Sequence, residues 1–248
     1  MKSIHELEYN LYTRWKESYS PEDRERFCFD GLCYNGPVSD NGQTETASYG
    51  NEEQLWTTSK RRILFLMKDT NDNDDSDYRE WPWRKIHHRF FNCIFKWLQG
   101  LSTITANHIP KLQNGDYFDT PCRVVTEYSL AIVNIKKISG SSSVSNNTLY
   151  EYFERDKAFL REQIVEILQP NIIVCGGGSS TVLNIAKKIY ADASFIMINY
   201  YCYYSAELNL LLIDAFHPSS RVSDFWKIDD MMDKVHEFIL QERPPFFE

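Results

Sequence analysis

Three polar side chains that could do chemistry together follow short apolar runs of the chain. Asp69 comes after ILFLMK, Asn134 ends LAIVN, and His217 follows LLLIDAF. A carboxylate can stabilise positive charge or orient water, an imidazole can donate or accept a proton, and an amide both donates and accepts hydrogen bonds. If the loops that carry them converge, the three residues form a site that binds a polar ligand and assists bond breaking in it.

A sheet must bring these loops together, and the pattern after residue 62 predicts one. Short apolar runs alternate with longer helical patterns, which is typical of βαβ units around a mostly parallel sheet. Buried strands are predicted at residues 63–67, 130–134, 172–175, 195–199 and 210–215, and helices at residues 84–98, 147–168, 180–190 and 229–241. We therefore expect an α/β fold, a three-layer sandwich whose central sheet is flanked by helices.

The first 60 residues are expected to form an N-terminal helical extension of a single domain that spans residues 1–248. Leu7, Leu11 and Trp15 recur at the spacing of one helical face, and Ser3 is a suitable N-cap. The segment around them therefore predicts an amphipathic helix.

Charge and hydropathy limit the function classes. The chain has a net charge of -8, which argues against a protein that coats DNA indiscriminately but leaves room for a local basic groove. No apolar run approaches the roughly 20 residues needed to span a bilayer, and no secretory signal opens the chain. We expect a cytoplasmic monomer, not associated with a membrane, whose cysteines are reduced.

Ligands of such sheets bind outside the carboxyl ends of the strands. Polar residues follow four of the predicted strands there, in the segments KDTN (68–71), NIKK (134–137), GGGSS (176–180) and HPSSR (217–221). The glycine segment lacks the spacing of a dinucleotide fingerprint and the lysine of a P-loop. It predicts a tight turn or a contact with a phosphate of DNA in preference to a bound nucleotide.

Together these motifs resemble the uracil-DNA glycosylase superfamily. ILFLMKDTN is similar to the family's strand and Gly-Gln-Asp-Pro-Tyr or Gly-Glu-x-Pro-Gly loop, AIVN to its strand ending in a base-reading asparagine, and FHPSSR to its His-Pro-Ser loop. With FDG (29–31), VNIKKISG and PNIIVCGGG, the set looks like a poorly characterised bacterial branch of that superfamily. The resemblance covers residues from about 29 to the C-terminal helix.

The resemblance implies an enzyme that flips a nucleotide out of DNA and hydrolyses the bond between base and sugar, a step that leaves positive charge on the sugar and negative charge on the base. Asp69 would stabilise the sugar cation and orient the attacking water. His217 would donate a hydrogen bond to the leaving pyrimidine. Asn134 would read the polar edge of the base, and Lys68 and Asn71 would complete the base-binding set.

One departure from the family pattern concerns the identity of the base. Uracil-specific members carry a tyrosine shortly after the aspartate, where it excludes substituents on the pyrimidine 5-position, and here the residue is Asn71. The substrate is therefore either uracil or a 5-modified pyrimidine of the kind found in some phage DNA. The aromatic platform under the base is left open among Trp81, Trp83 and Phe90.

DNA contacts are also implied by the resemblance. Arg221 stands where well-known members place an apolar wedge, and Phe225 and Trp226 are alternative wedges or core residues. Further contacts are predicted for residues on the same loops: Ser219, Ser220, Lys136, Lys137, Gly177 and Ser179.

No metal and no cofactor are expected. The acidic stretch from residue 69 to residue 80 spaces oxygens like a calcium loop, but Asp74 replaces the required glycine. Two other functions remain open besides a glycosylase: a catalytically inactive module on the same fold that binds nucleic acid or protein, and a hydrolase of nucleotides.

Overall fold

The apolar runs form the strands of a central sheet in the computed structural model, which describes residues 2–40, 45–70, 76–83, 85–86, 88–118, 120–140, 144–191 and 193–248. The strands are β1 (Gly31–Leu32), β2 (Val38–Asp40), β3 (Glu45–Ala47), β4 (Ile63–Met67), β5 (Ala131–Asn134), β6 (Ile172–Cys175), β7 (Ile196–Met197), β8 (Cys202–Ser205) and β9 (Leu210–Asp214). The sheet order is β1-β5-β4-β6-β9-β8-β7, and β2 and β3 form a separate hairpin. Strands β5, β4, β6 and β9 are parallel neighbours, whereas β1, β8 and β7 pair antiparallel.

Helices cover both faces of this sheet. They are α1 (Ile4–Glu17), α2 (Pro21–Arg24), α3 (Glu52–Thr58), α4 (Arg89–Thr103), α5 (Pro121–Glu127), α6 (Asn146–Arg161), α7 (Thr181–Ile189) and α8 (Asp230–Glu242). A π-helical segment, Glu162–Leu168, extends α6, and another, Phe225–Asp229, precedes α8. None of the helices in the described ranges is long and apolar enough to cross a bilayer.

Alternating side chains of the strands divide the core into two layers. On β4, Phe65 and Met67 pack with α4, α5 and α8, whereas Leu64 and Leu66 pack with α1, α3, α6 and α7. Successive strand residues point to opposite faces, so a strand covered on both sides must be apolar throughout. The predicted α/β architecture with helices on both sides of a mostly parallel sheet is confirmed.

The prediction of a buried strand over residues 195–199 is wrong. The strand there has two residues and forms the outer edge of an antiparallel hairpin with β8. Ile196 is 68% and Met197 62% exposed. An apolar run alone does not distinguish a central strand from an edge strand, because periodicity does not report what lies beside it.

The first 60 residues belong to the same core as the rest of the chain. Ser3 caps α1 in a capping box with Glu6, as its sequence predicts. Leu11 and Trp15 of α1 are fully buried, and β1 adds a strand to the sheet beside β5. The helix predicted in the N-terminal extension therefore packs on the sheet, and β1 lies beside the strand that ends in Asn134.

Candidate active site

A cavity opens at the carboxyl ends of the parallel strands. Main-chain hydrogen bonds continue the pairing of β4 and β5 beyond their ends, from Ile135 N to Met67 O at 3.0 Å and from Lys136 N to Lys68 O at 3.0 Å. This continuation holds the residue after Lys68 beside the residues after β5. Strand β9 lies two positions from β4 in the sheet order, and the loop after it reaches the same cavity.

The cavity has a volume of about 390 Å³ and combines polar groups with an aromatic wall. Its volume lies in the range of about 300–1,000 Å³ that is usual for small-molecule sites. The lining includes residues from the three predicted loops: Lys68, Asp69, Asn134, His217 and Ser219. The structure therefore brings together the three side chains from which the sequence analysis began.

Asp69 is held beside a lysine without a tight ion pair. Its Oδ2 lies 3.7 Å from Nζ of Lys136, and the side chains of both residues are 9% exposed. Burial raises the pKa of Asp69 above its usual value, while the positive charges of Lys136 and Lys68 act in the opposite direction. The two lysines thus favour the charged carboxylate, against the effect of burial.

A backbone hydrogen bond determines which nitrogen of the His217 imidazole carries the proton. The backbone N–H of Ser219 donates to Nδ1 of His217 at 3.2 Å. Burial, and then the charge of Lys68, lower the pKa of His217, which favours the neutral ring. Because Nδ1 accepts a hydrogen bond, the single proton of the neutral ring lies on Nε2, which is then a donor.

The side-chain amide of Asn134 is oriented by a buried carboxylate that the sequence analysis did not select. Oδ2 of Asp30 accepts from the backbone N–H of Asn134 at 2.8 Å and from its Nδ2 at 3.2 Å. An ionised carboxylate only accepts, so Nδ2 must face Asp30. The second N–H and the Oδ1 of Asn134 can then face a ligand.

Asp30 is in turn fixed by three other buried side chains, and we call these four residues the Asp30 cluster. Nζ of Lys137 lies 2.5 Å from Oδ1 of Asp30, and the Tyr12 hydroxyl donates to the same oxygen at 2.9 Å. Nε2 of Gln163 lies 3.3 Å from it. A buried charge is tolerated only when it is paired and hydrogen-bonded. The cluster meets that condition and holds Asn134 rigidly.

A second buried ion group lies next to the Asp30 cluster. Nη1 of Arg79 is 3.7 Å from Oε2 of Glu8, and its Nη2 is 2.6 Å from Oδ2 of Asp77. Burial raises the pKa of Glu8 to about 8. Gly31 has φ +125°, and a Cβ on it would lie 1.9 Å from Oε1 of Glu8, so only glycine fits.

The three aromatic candidates for a base platform all line the cavity. Trp83 is 2% exposed and donates from Nε1 to the Tyr78 carbonyl at 3.1 Å, which fixes its ring in the wall. The ring of Trp81 lies 4.3 Å from that of Tyr78, centroid to centroid, and the ring of Phe90 lies 5.6 Å from that of His217. Trp81 and Phe90 are half-buried, and therefore both can present a ring surface to a ligand.

Two predicted DNA contacts are wrong because the lysines are buried. Lys137 is 0% exposed and bound within the Asp30 cluster, and Lys136 is 7% exposed. Besides its contact with Asp69, Lys136 donates to the Ile138 carbonyl. The sequence marks both as basic residues after a strand, but their carboxylate partners come from distant parts of the chain.

The glycine segment does not cradle a phosphate either. Gly177 is buried, and its N–H donates to the Cys175 carbonyl at 2.9 Å, so the predicted DNA contact at Gly177 is wrong. Gly178 has φ +67°, and a Cβ there would lie 3.1 Å from the backbone nitrogen of His217. The segment instead allows the loop that carries His217 to pack closely against the end of β6.

The other predicted positions are on the surface or at the cavity. Ser179 is exposed, and its hydroxyl donates to that of Thr181 at 3.3 Å. Ser220 is half-buried, and Arg221 is exposed. Asn71 lies outside the described residues.

Comparisons with known proteins do not assign the chain to a family. No protein-family model matches it, and no curated protein matches it. Within the described ranges, no group of three His, Cys, Asp or Glu side chains is placed to hold a metal ion. The chemistry therefore has to be inferred from the cavity itself.

Proposed function

We propose that the protein is a DNA glycosylase of the uracil-DNA glycosylase type, which hydrolyses the N-glycosidic bond of a nucleotide flipped into the cavity. One observation carries the proposal: Asp69, Asn134 and His217, which come from three separate loops, line the same aromatic cavity. The arrangement of strands and the position of the cavity at their carboxyl ends are compatible with a fold of that type.

The three side chains supply the groups that this reaction needs. Water attacks the anomeric carbon of the sugar as the bond to the base nitrogen breaks, and the bonding electrons leave with the base. Asp69 stabilises the positive sugar and accepts a hydrogen bond from the water, and the proton that the water loses finally neutralises the released base anion by way of solvent. Nε2–H of His217 donates to a carbonyl oxygen of the departing base, where negative charge develops, and no residue forms a covalent intermediate.

Asn134 selects the base in this proposal. With Nδ2 facing Asp30, its remaining N–H and its Oδ1 can read one acceptor and one donor on a pyrimidine edge. Trp81 and Phe90 offer stacking surfaces. The proposed substrate is uracil or a 5-modified pyrimidine, since the tyrosine that excludes 5-substituents in uracil-specific enzymes is replaced by Asn71.

The test is formation of abasic sites in oligonucleotides that contain uracil, 5-hydroxymethylcytosine or glucosylated 5-hydroxymethylcytosine, with mass spectrometry of the released base. We expect release of at least one of these bases. Asp69→Asn and His217→Ala should each lower the rate by about 100-fold or more. Asp40→Asn and His108→Ala, which change exposed residues outside the cavity, are the matched controls and should retain full activity.

Two outcomes would contradict the proposal. Tight binding of oligonucleotides with no abasic sites on any substrate would identify an inactive binding module. Hydrolysis of free nucleotides with no release of bases from DNA would identify a small-molecule hydrolase in the same cavity.

A further inference from the structure

A surface groove adjoins the cavity and is lined by three basic residues. The groove has a volume of about 490 Å³, and we call Arg89, Lys96 and Arg221 on its walls the basic groove. Asp224 also lines it, but its Oδ1 lies 3.0 Å from Nζ of Lys227, which compensates its charge. Positive charge therefore predominates locally on a chain whose net charge is -8.

The basic groove and the cavity are lined by residues that are neighbours in the chain. Nη2 of Arg89 donates to the Ser220 carbonyl at 2.9 Å, which joins the start of α4 to the loop after His217. The residues that precede these two in sequence, His88 and Ser219, line the cavity. A strand whose nucleotide enters the cavity would thus pass directly into the groove.

Two exposed aromatic residues follow the groove in sequence. Phe225 is 52% and Trp226 51% exposed, and their ring centroids are 5.2 Å apart with the planes at 80°. We call them the aromatic pair. Their exposure excludes the alternative that they are core residues. Large aromatic side chains are rarely left in water without a partner, and each ring presents a face that a base can stack on.

We propose that the basic groove and the aromatic pair form a binding surface for single-stranded DNA next to the flipped nucleotide. Lysine and arginine follow the phosphates, while aromatic rings stack on bases of any sequence. A duplex keeps its base faces stacked inside, so only an unpaired strand offers them to Phe225 and Trp226. The inference rests on the proposed function and specifies its substrate as single-stranded or locally opened DNA.

The test is fluorescence anisotropy with a labelled oligothymidylate of 12 nucleotides and a mixed-sequence duplex of the same length, at two salt concentrations. The wild-type protein should bind the single strand more tightly than the duplex. The double variant Phe225→Ala/Trp226→Ala should lose about fivefold or more of its affinity for the single strand. Arg221→Ala should bind more weakly and depend less on salt, with a slope reduced by about 0.7.

Control variants lie on the other face of the sheet. Tyr9 is 64% exposed on α1, and the side chain of Lys157 is 61% exposed on α6, whereas α4 and α8 pack on the opposite face. Tyr9→Ala and Lys157→Ala should bind like the wild type. All of these variants change exposed side chains, and their far-UV circular dichroism should match that of the wild type.

Three outcomes would overturn the inference: a tighter complex with the duplex, unchanged single-strand affinity in the aromatic-pair variant, or self-association that this variant abolishes without any binding of DNA. The base-release assay keeps the two proposals separate. If the aromatic-pair variant releases bases normally from duplexes, the proposed binding surface is contradicted and the proposed glycosylase activity is supported. If single-strand binding depends on the aromatic pair but no base is released, the binding surface is supported and the glycosylase activity is contradicted.

Discussion

Two consecutive lysines serve two different carboxylates, and the contrast separates the reactive part of the site from its support. Lys136 lies 3.7 Å from Asp69 at the cavity, whereas Lys137 lies 2.5 Å from Asp30 with both side chains fully buried. Successive residues of an extended segment point to opposite sides, which lets the two lysines meet different carboxylates. Both carboxylates line the cavity, but the side chain of Asp69 is 9% exposed and that of Asp30 is 0% exposed. The loose pair leaves carboxylate oxygens for water or sugar, and the tight pair immobilises Asn134.

The largest expected effect comes from breaking the tight pair. Lys137→Met should lower the free energy of unfolding by about 3–5 kcal/mol, because Asp30 would remain as a buried charge without its cation. Lys136→Met, the matched variant at the loose pair, should cost less than Lys137→Met, because the contact is 3.7 Å long and the positive charge of Lys68 still acts on Asp69. Urea unfolding of both variants measures the difference. Equal losses of unfolding free energy would show that the pair at 2.5 Å contributes no more to stability than the pair at 3.7 Å.

Removing both partners of the tight pair sharpens the distinction between support and chemistry. Asp30→Leu/Lys137→Met should regain about 2 kcal/mol of the stability lost in Lys137→Met, since no unpaired charge remains. The amide of Asn134 would lose its fixed orientation, so affinity for a substrate oligonucleotide should fall about tenfold. The rate of the bound complex should change less. If affinity stays at the wild-type level, Asp30 does not act as a positioning residue.

The loose pair should control the pH dependence of activity. The pKa of Asp69 is raised above 3.8, so activity should rise with pH through that raised value as the carboxylate ionises, and remain high at neutral pH. In Lys136→Met the opposing positive charge is gone, and the acid limb of the activity profile should move to higher pH. Lys157→Met is the control for loss of a surface lysine. If the acid limb does not move, Lys136 does not influence the pKa of Asp69 and the explanation is wrong.

A further pH dependence concerns Glu8, behind the Asp30 cluster. Its pKa is about 8 in the folded chain and 4.5 in its ordinary range, so between these values the folded chain holds a proton that the unfolded chain has released. Stability should therefore fall as pH rises from 4.5 to about 8. Glu8→Gln should remove that slope, so its stability relative to the wild type should be greater at pH 8 than at pH 4. Thermal melts of both proteins at pH 4 and pH 8 measure the difference in stability. A variant that is stabilised by the same amount at both pH values would contradict the explanation.

The sequence predicts the parts of this arrangement that depend on local pattern. The strands β4 and β6 are predicted at their observed bounds, and the positions of Asp69, Asn134 and His217 at the ends of three predicted strands indicate one shared edge. Local pattern does not predict ion pairs between residues that are far apart in the chain. The sequence predicts Lys137 as a DNA contact, and it does not reveal the partner Asp30, which lies 107 positions earlier in the chain.

Other errors have the same origin. Gly177 was read as a phosphate contact, whereas the glycine segment is required by the close approach of the His217 loop. Asp30 belongs to the FDG motif, and its role depends on a contact with Asn134 that no spacing reveals. The signal that could have identified it is an aspartate between apolar residues, which predicts a buried charge that needs a partner.

The most direct test of the central claim is a crystal structure with a single-stranded oligonucleotide whose target nucleotide carries 2′-fluorine, which disfavours positive charge on the sugar and slows cleavage. We predict that the target base lies in the cavity, within hydrogen-bond distance of both Asn134 and Nε2 of His217, with the anomeric carbon facing Asp69. A base that stays stacked outside, with the cavity empty, would contradict the proposed function.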